Sequence, residues 1–243
     1  MTALGDGVVS PPGKSSGVPL VRVDLGKVPY ERAQADMANW VEERQQGLAP
    51  NRLFLLTHPP VITYTARTEA DQLPDPTRSD IALVQTGRGG HATYHGPGQL
   101  IGYLVLDVRE IGPRGLIRRV EEGLIDALDS LGFPAIRREA ARGDRSLTGV
   151  WTPDHRKVAS IGMRINSGRV SSHGLALNID SDLSVYTTFT ACALPGVQMT
   201  SLAQLAAEQG RATPTQSDVR DAVAQALADR LETPIPARVA TAS

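Results

Sequence analysis

Two residue types are scarce in this chain, and each has one member placed where it could do chemistry. The only cysteine, Cys192, sits in Thr190-Ala191-Cys192-Ala193-Leu194-Pro195-Gly196. A lone cysteine is most often a small buried hydrophobe. In a chain that also carries histidines it is also a nucleophile candidate. Small neighbours would leave its sulfur approachable, and a helix start expected a few residues later, at Thr200, would favour the thiolate. Lysine is the second scarce type: Lys14, Lys27 and Lys157 stand against 22 arginines. Lysine can give up its proton and arginine cannot. Lys157, heading the apolar run Lys157-Val158-Ala159-Ser160-Ile161-Gly162, is therefore a candidate for proton chemistry. The alternative for it is a solvated strand end.

The third unusual feature is Arg88-Gly89-Gly90-His91-Ala92-Thr93-Tyr94-His95-Gly96-Pro97-Gly98-Gln99-Leu100. Five glycines lie within fifteen residues from Gly87, a density that goes with tight turns or with a ligand pressed on the backbone. Two hairpin turns would account for it equally. Gly96-Pro97-Gly98-Gln99-Leu100-Ile101 fails the dinucleotide fingerprint, because Gly102 comes one residue late, and no phosphate-cradling G-x-x-x-x-G-K-[ST] string occurs. His91 and His95 lack the Glu of an H-E-x-x-H zinc site. On a strand both would face one side, and each reads first as a structural histidine, with His95, ringed by glycines, the stronger site candidate. His173 opens another strand, His173-Gly174-Leu175-Ala176-Leu177-Asn178.

These residues need a scaffold, and the chain supplies alternating strand-like and helix-like segments. Strands are expected at Pro19–Leu25, Arg52–Thr57, Val61–Thr65, Ile81–Gln85, Ala92–Tyr94, Leu100–Asp107, Leu147–Trp151, Lys157–Ile165 and Arg169–Asn178. Tyr30–Gln46 reads as a helix stopped at Gly47. Gly115–Leu131 carries Leu116, Val120, Leu124, Leu128 and Leu131 on one stripe, with Arg118, Arg119, Glu121 and Glu122 off it. A further helix should start at Thr200-Ser201, with Ser201 and Gln204 as a capping box, and another at Thr213-Pro214, with Pro at the first helical position. The pattern is that of an α+β layer protein.

At 243 residues with 41% hydrophobic content, the chain can bury one substantial core. A single cysteine cannot form an internal disulfide, which suits a reducing compartment and a cytoplasmic location. A net charge of −1 gives no global attraction to nucleic acid or to a membrane. No apolar run nears the ~20 residues that cross a bilayer, and the opening residues lack a signal-peptide pattern. Residues 1–18 and 234–243 read as disordered tails around one domain, 19–233.

Taken together, the segments resemble the lipoyl(octanoyl) transferases of lipoate biosynthesis. The likeness runs in order from about residue 19 to 210: HPPV at His58–Val61, RGGxxTYHGPGQL at Arg88–Leu100, GVW, K-x-A-x-I-G at Lys157–Gly162, HGLALN at His173–Asn178, the cysteine loop and Thr200-Ser201-Leu202. The resemblance implies the fold of the biotin/lipoate protein ligase catalytic domain, a mixed β-sheet flanked by helices. It implies transfer of an octanoyl group from octanoyl-acyl carrier protein to a lysine of lipoyl domains, those of 2-oxoacid dehydrogenase E2 subunits and of the glycine cleavage H protein, with no cofactor and no metal. Cys192 would be the nucleophile and Lys157 its proton-handling partner. Arg88, Gly89, Gly90, His91, Ala92, Thr93, Tyr94, His95, Ser160, Ile161, Gly162, His173, Gly174 and Leu175 would contact the acyl substrate. One departure stands out: the family writes its nucleophile loop P-C-G, and here it is Ala191-Cys192-Ala193. Three rivals are an ATP-dependent lipoate or biotin ligase on the same fold, a noncatalytic acyl or carrier binder, and a Cys–His hydrolase using His95 or His173.

Overall fold

In the computed structural model, which describes residues 19–75, 81–140 and 147–232, strand periodicity decides which layer each side chain enters. Strand β1 (Leu20–Lys27) runs parallel to β2 (Asn51–Thr57), with helix α1 (Tyr30–Gln45) as the crossover a parallel pair needs. Strands β3 (Val61–Tyr64), β4 (Ala82–Gln85), β5 (Thr93–His95) and β6 (Gln99–Val105) follow. After helix α2 (Gly112–Ser130) come β7 (Ile136–Arg137), β8 (Gly149–Trp151), β9 (Lys157–Ile165) and β10 (Ser171–Asn178). Helices α3 (Leu202–Glu208) and α4 (Gln216–Glu232) close the described chain.

Seven strands form a mixed sheet in the order β1-β2-β6-β10-β9-β8-β7, antiparallel at every pair but the first. Three further strands form a smaller sheet in the order β4-β3-β5, parallel between β3 and β4 and antiparallel between β3 and β5. On β2, Leu53 and Leu55 join the cluster that packs under α2, α3 and α4, while Phe54 and Leu56 join Ala33 and Met37 of α1 on the other face. Strand β6 repeats this with Leu100 and Leu104 against Ile101, Tyr103 and Val105. Each such buried side chain contributes roughly 1.5–3 kcal/mol. The mixed sheet with helices on both faces is the α+β architecture expected from the sequence.

Most expected elements lie within two or three residues of their predicted bounds. The last helix differs at its start: it begins at Gln216, not at Thr213-Pro214. Thr215 Oγ1 accepts the Asp218 N–H (3.1 Å), and the Asp218 carboxylate accepts the Thr215 N–H (3.2 Å). That reciprocal pair satisfies two orphan amides and outbids the Pro signal two residues upstream. At α3, Ser201 Oγ caps the Gln204 N–H at 3.3 Å as expected. The Gln204 amide oxygen instead accepts the Thr200 hydroxyl. Glu121, assigned to the polar side of α2, is buried, because α2 is covered both by the sheet and by α4. Strand β7 was not anticipated; it is two residues long. Both expected tails, 1–18 and 234–243, lie outside the described residues. Among the described residues no helix is long and apolar enough to cross a membrane.

Candidate active site

Cys192 lies on a short 3-10 turn, Ala191–Ala193, whose backbone is bent so that Cys192 has φ 56° and Ala193 φ 53°. Two consecutive non-glycine residues in left-handed backbone are costly, about 1–2 kcal/mol each. The turn is held from both sides: the Cys192 N–H donates to the Ala92 carbonyl at 2.8 Å, and Ala191 packs with Ile62, Ala92, Tyr94 and Phe189. Cys192 as a residue is left partly exposed. Among the described residues the polar side chains within hydrogen-bonding reach of the sulfur are Lys157 and Ser160.

Lys157 is 1% exposed, so the solvated-strand-end reading is wrong. Its ammonium donates to Thr148 O at 3.0 Å and to Cys192 Sγ at 3.5 Å, and lies 5.2 Å from the Trp151 ring centroid. Strand β9 holds it at its first residue, with the Lys157 N–H bonded to Gln198 O, so the cysteine loop and the strand are stitched together just beyond the turn. Ser160 Oγ, three residues along β9 and beyond a β-bulge that shifts the alternation, lies 3.9 Å from the sulfur. A thiolate here would have an ammonium as its immediate counter-charge and donor.

This pair borders a cavity of about 300 Å³, at the small end of the range for ligand pockets. Ile161, Met163, Leu175 and Ala176 supply apolar wall, and Arg88, Gly89, Gly90, His91, Thr93, His95, Gly162, His173 and Gly174 also line it. Fourteen of the sixteen residues singled out from the sequence, Cys192 and Lys157 included, therefore border one space. Ala92 and Tyr94 do not. On β5, Thr93 and His95 face the cavity, so Tyr94 points the other way, into the small core with Ile62. Ala92 acts on the site through its carbonyl, which anchors Cys192. His91 falls just outside β5, so the two histidines do not share a strand.

The glycine turn docks on β9 backbone to backbone. Gly89 N–H donates to Met163 O at 3.0 Å, and a Cβ on Gly162 would sit 2.7 Å from Gly89 O. Arg88 braces the turn from inside, donating to Thr63 O, Thr63 Oγ1 and Gly89 O at 2.8–3.2 Å. Burial pulls its pKa down, opposed by Tyr30, Cys192 and Tyr103; guanidinium remains charged regardless.

His58, His95 and His173 form a buried, neutral group. His58 Nδ1 is 2.6 Å from Val28 O, which can only accept, so Nδ1 carries the proton and Nε2 accepts from Tyr103 OH at 2.7 Å. Burial lowers the His58 and His95 pKa values, and holds His173 at about 4, helped by the positive charges of Arg88 and Arg164. His95 stacks on Tyr30 and contacts Gln99 through Nδ1 at 3.3 Å. Among the described residues neither His95 nor His173 hydrogen-bonds the sulfur, whose side-chain partners are Lys157 and Ser160.

Tyr30, Tyr103, Thr148, Met163 and Arg67 also line the cavity and were not singled out from the sequence. Tyr30 is the first residue of α1 and Tyr103 lies within β6, positions whose only signal in the sequence is apolar periodicity.

A family model for the lipoyl protein ligase A/B catalytic domain matches residues 29–228. An octanoyltransferase of Frankia casuarinae is 40% identical over 81% of this chain and 89% of its own. One from Pseudomonas entomophila is 44% identical over 79% and 84%. A crystal structure of lipoate-protein ligase A bound with ATP superposes with a TM-score of 0.67, covering 90% of this chain and 87% of the other, at 14% identity. That last likeness concerns the fold alone.

Proposed function

Since the chain belongs to the octanoyltransferase family of the lipoyl protein ligase A/B catalytic domain, we propose that it moves an octanoyl group from acyl carrier protein to a lysine of a lipoyl domain by way of a Cys192 thioester. The observation that carries this reading is the 3.5 Å approach of Lys157 Nζ to Cys192 Sγ on the wall of one cavity. Residues of the glycine turn, of β9 and of β10 would hold the acyl chain. Burying eight carbons is worth about 6 kcal/mol at ~0.8 kcal/mol per methylene.

In the first half-reaction the Cys192 thiolate attacks the carrier thioester. A new carbon–sulfur bond forms, the carrier's breaks, and the leaving thiolate takes a proton from the Lys157 ammonium. In the second, the acceptor amine attacks the enzyme thioester. An amide forms, the Cys192 thiolate departs, and the amine's proton returns to Lys157. Both residues end as they began. Peptide N–H groups of the 88–95 turns are the proposed donors to the oxyanion of each tetrahedral intermediate. Thioester exchange is close to thermoneutral and amide formation runs downhill, so the cycle needs no ATP. The partners of this reaction are octanoyl-acyl carrier protein, the lipoyl domains of 2-oxoacid dehydrogenase E2 subunits and the glycine cleavage H protein, and a thiol nucleophile suits the reducing cytoplasm.

Incubation with octanoyl-acyl carrier protein and a lipoyl domain, without ATP, should yield octanoyl-lysine on the domain. Product formed only from free octanoate plus ATP would overturn the proposal in favour of a ligase.

A further inference from the structure

Lys157 is an ammonium buried almost completely, yet among the described residues no carboxylate bonds it directly. Its fixed acceptor is the carbonyl of Thr148. The other end of that same peptide, the N–H of Gly149, donates to Glu121 Oε1 at 3.0 Å. In a trans peptide the C=O and the N–H point opposite ways, so carboxylate and ammonium grip one peptide dipole from its two ends, each orienting it in the sense that suits the other.

Two further observations tie Glu121 to the site. Glu121 is 5% exposed on a helix whose other buried positions are apolar or glycine, and burying a carboxylate is costly unless its charge is used. Gly149 has φ 135°, and a Cβ there would lie 2.5 Å from Ala159 O and 2.7 Å from Lys157 Cε. The peptide is therefore pressed against the lysine stem, and Glu121 holds it there. Burial pushes the Glu121 carboxyl up, opposed by the Gly149 N–H, by Arg137 on β7 and by Lys157 on β9; Glu122 on its own helix adds to the rise. Lys157 in turn faces the Cys192 sulfur and the Trp151 ring.

We propose that Glu121 is a positioning residue for the transfer: it fixes and polarises the Thr148–Gly149 peptide so that the peptide carbonyl keeps the Lys157 ammonium charged and aimed at Cys192. This rests on reading Cys192 and Lys157 as the working pair. It assigns the helix α2 carboxylate an electrostatic duty carried through a peptide bond.

The chain's three lysines make the test direct. With lysine labelled at its ε-carbon, carbon NMR of the full chain shows three side-chain signals, and the one lost in Lys157→Met is Lys157. In Glu121→Gln the hydrogen bond to Gly149 can persist but the charge is gone. The Lys157 titration midpoint should then fall by about one unit, the size of one charge felt across a peptide in a partly polar interior. In transfer assays the alkaline limb of the kcat profile should move down with it, while the KM for octanoyl carrier stays the same. Glu121→Ala, which also frees the peptide, should lower kcat further. A folded Glu121→Gln chain whose Lys157 signal titrates with the parent overturns the proposal, whatever Glu121→Ala does. The NMR readout needs no acyl transfer, so a parent chain that titrates as expected but transfers nothing would overturn the proposed function and leave this positioning role standing.

Discussion

Lys157 occupies a slot that admits little else: Thr148 O at 3.0 Å, the sulfur at 3.5 Å and the Trp151 ring set its ceiling and floor. Lys157→Arg keeps a charge but brings a guanidinium that is bulkier and cannot exchange its proton. Transfer should fall by about 10²–10⁴, the usual worth of a positioned proton donor. Because overpacking could also unfold the chain, Lys157→Met is the companion variant, close in volume and uncharged. It should melt near the parent temperature and show the same loss, together with slower alkylation of Cys192 by iodoacetamide. Parent-like turnover in folded Lys157→Met would remove the lysine from the mechanism. Cys192 and Lys157, the proposed reacting pair, were legible as candidates from scarcity alone. Their pairing across 35 positions was not, because it depends on β9 and the cysteine loop being stitched at Lys157 and Gln198. Glu121 was misread for a related reason: helix periodicity assigns one buried stripe, and α2 is covered on two sides.

At the scale of elements, the cysteine turn carries a visible cost. Ala193 adopts φ 53°, a conformation glycine takes without penalty, and glycine is the residue that the resembling family places there. Ala193→Gly should therefore raise the stability of the folded chain by up to about 1 kcal/mol, read as a higher urea midpoint, with Cys192 still alkylated at the parent rate. A lower midpoint would mean that the left-handed turn is not strained. Strands and helices were readable because alternation on β2 and β6 and the stripe on α2 are strong local signals. The start of α4 was not, since the Thr215–Asp218 cap and the Thr213-Pro214 pair are both valid start signals, and only the observed hydrogen bonds decide between them. Tyr94 shows the same limit in a strand: the motif includes it, yet the period of two turns it away from the cavity.

For the whole molecule, a set of buried neutral histidines ties folding to pH. Unfolded, His173 takes up a proton near pH 6.5; folded, it resists until about 4. Between those values the unfolded chain binds more protons, so stability is full above pH 6.5 and declines as pH falls, by about 3 kcal/mol from this residue. His58 and His95, also lowered by burial, act in the same direction. Glu121, raised by burial, acts in the opposite one. The urea midpoint at pH 5 should lie clearly below that at pH 7.5, and an unchanged midpoint would show that the histidine group is hydrated in solution.

The measurement that bears most directly on the account is intact mass of the chain after brief mixing with octanoyl-acyl carrier protein alone, followed by peptide mapping and then by addition of a lipoyl domain. The expected result is one octanoyl mass on Cys192, sensitive to hydroxylamine as a thioester is, and passed to the domain's lysine within the turnover time. A chain that transfers octanoyl to the domain while never carrying it on Cys192, or that carries it there and cannot hand it on, would contradict the central claim.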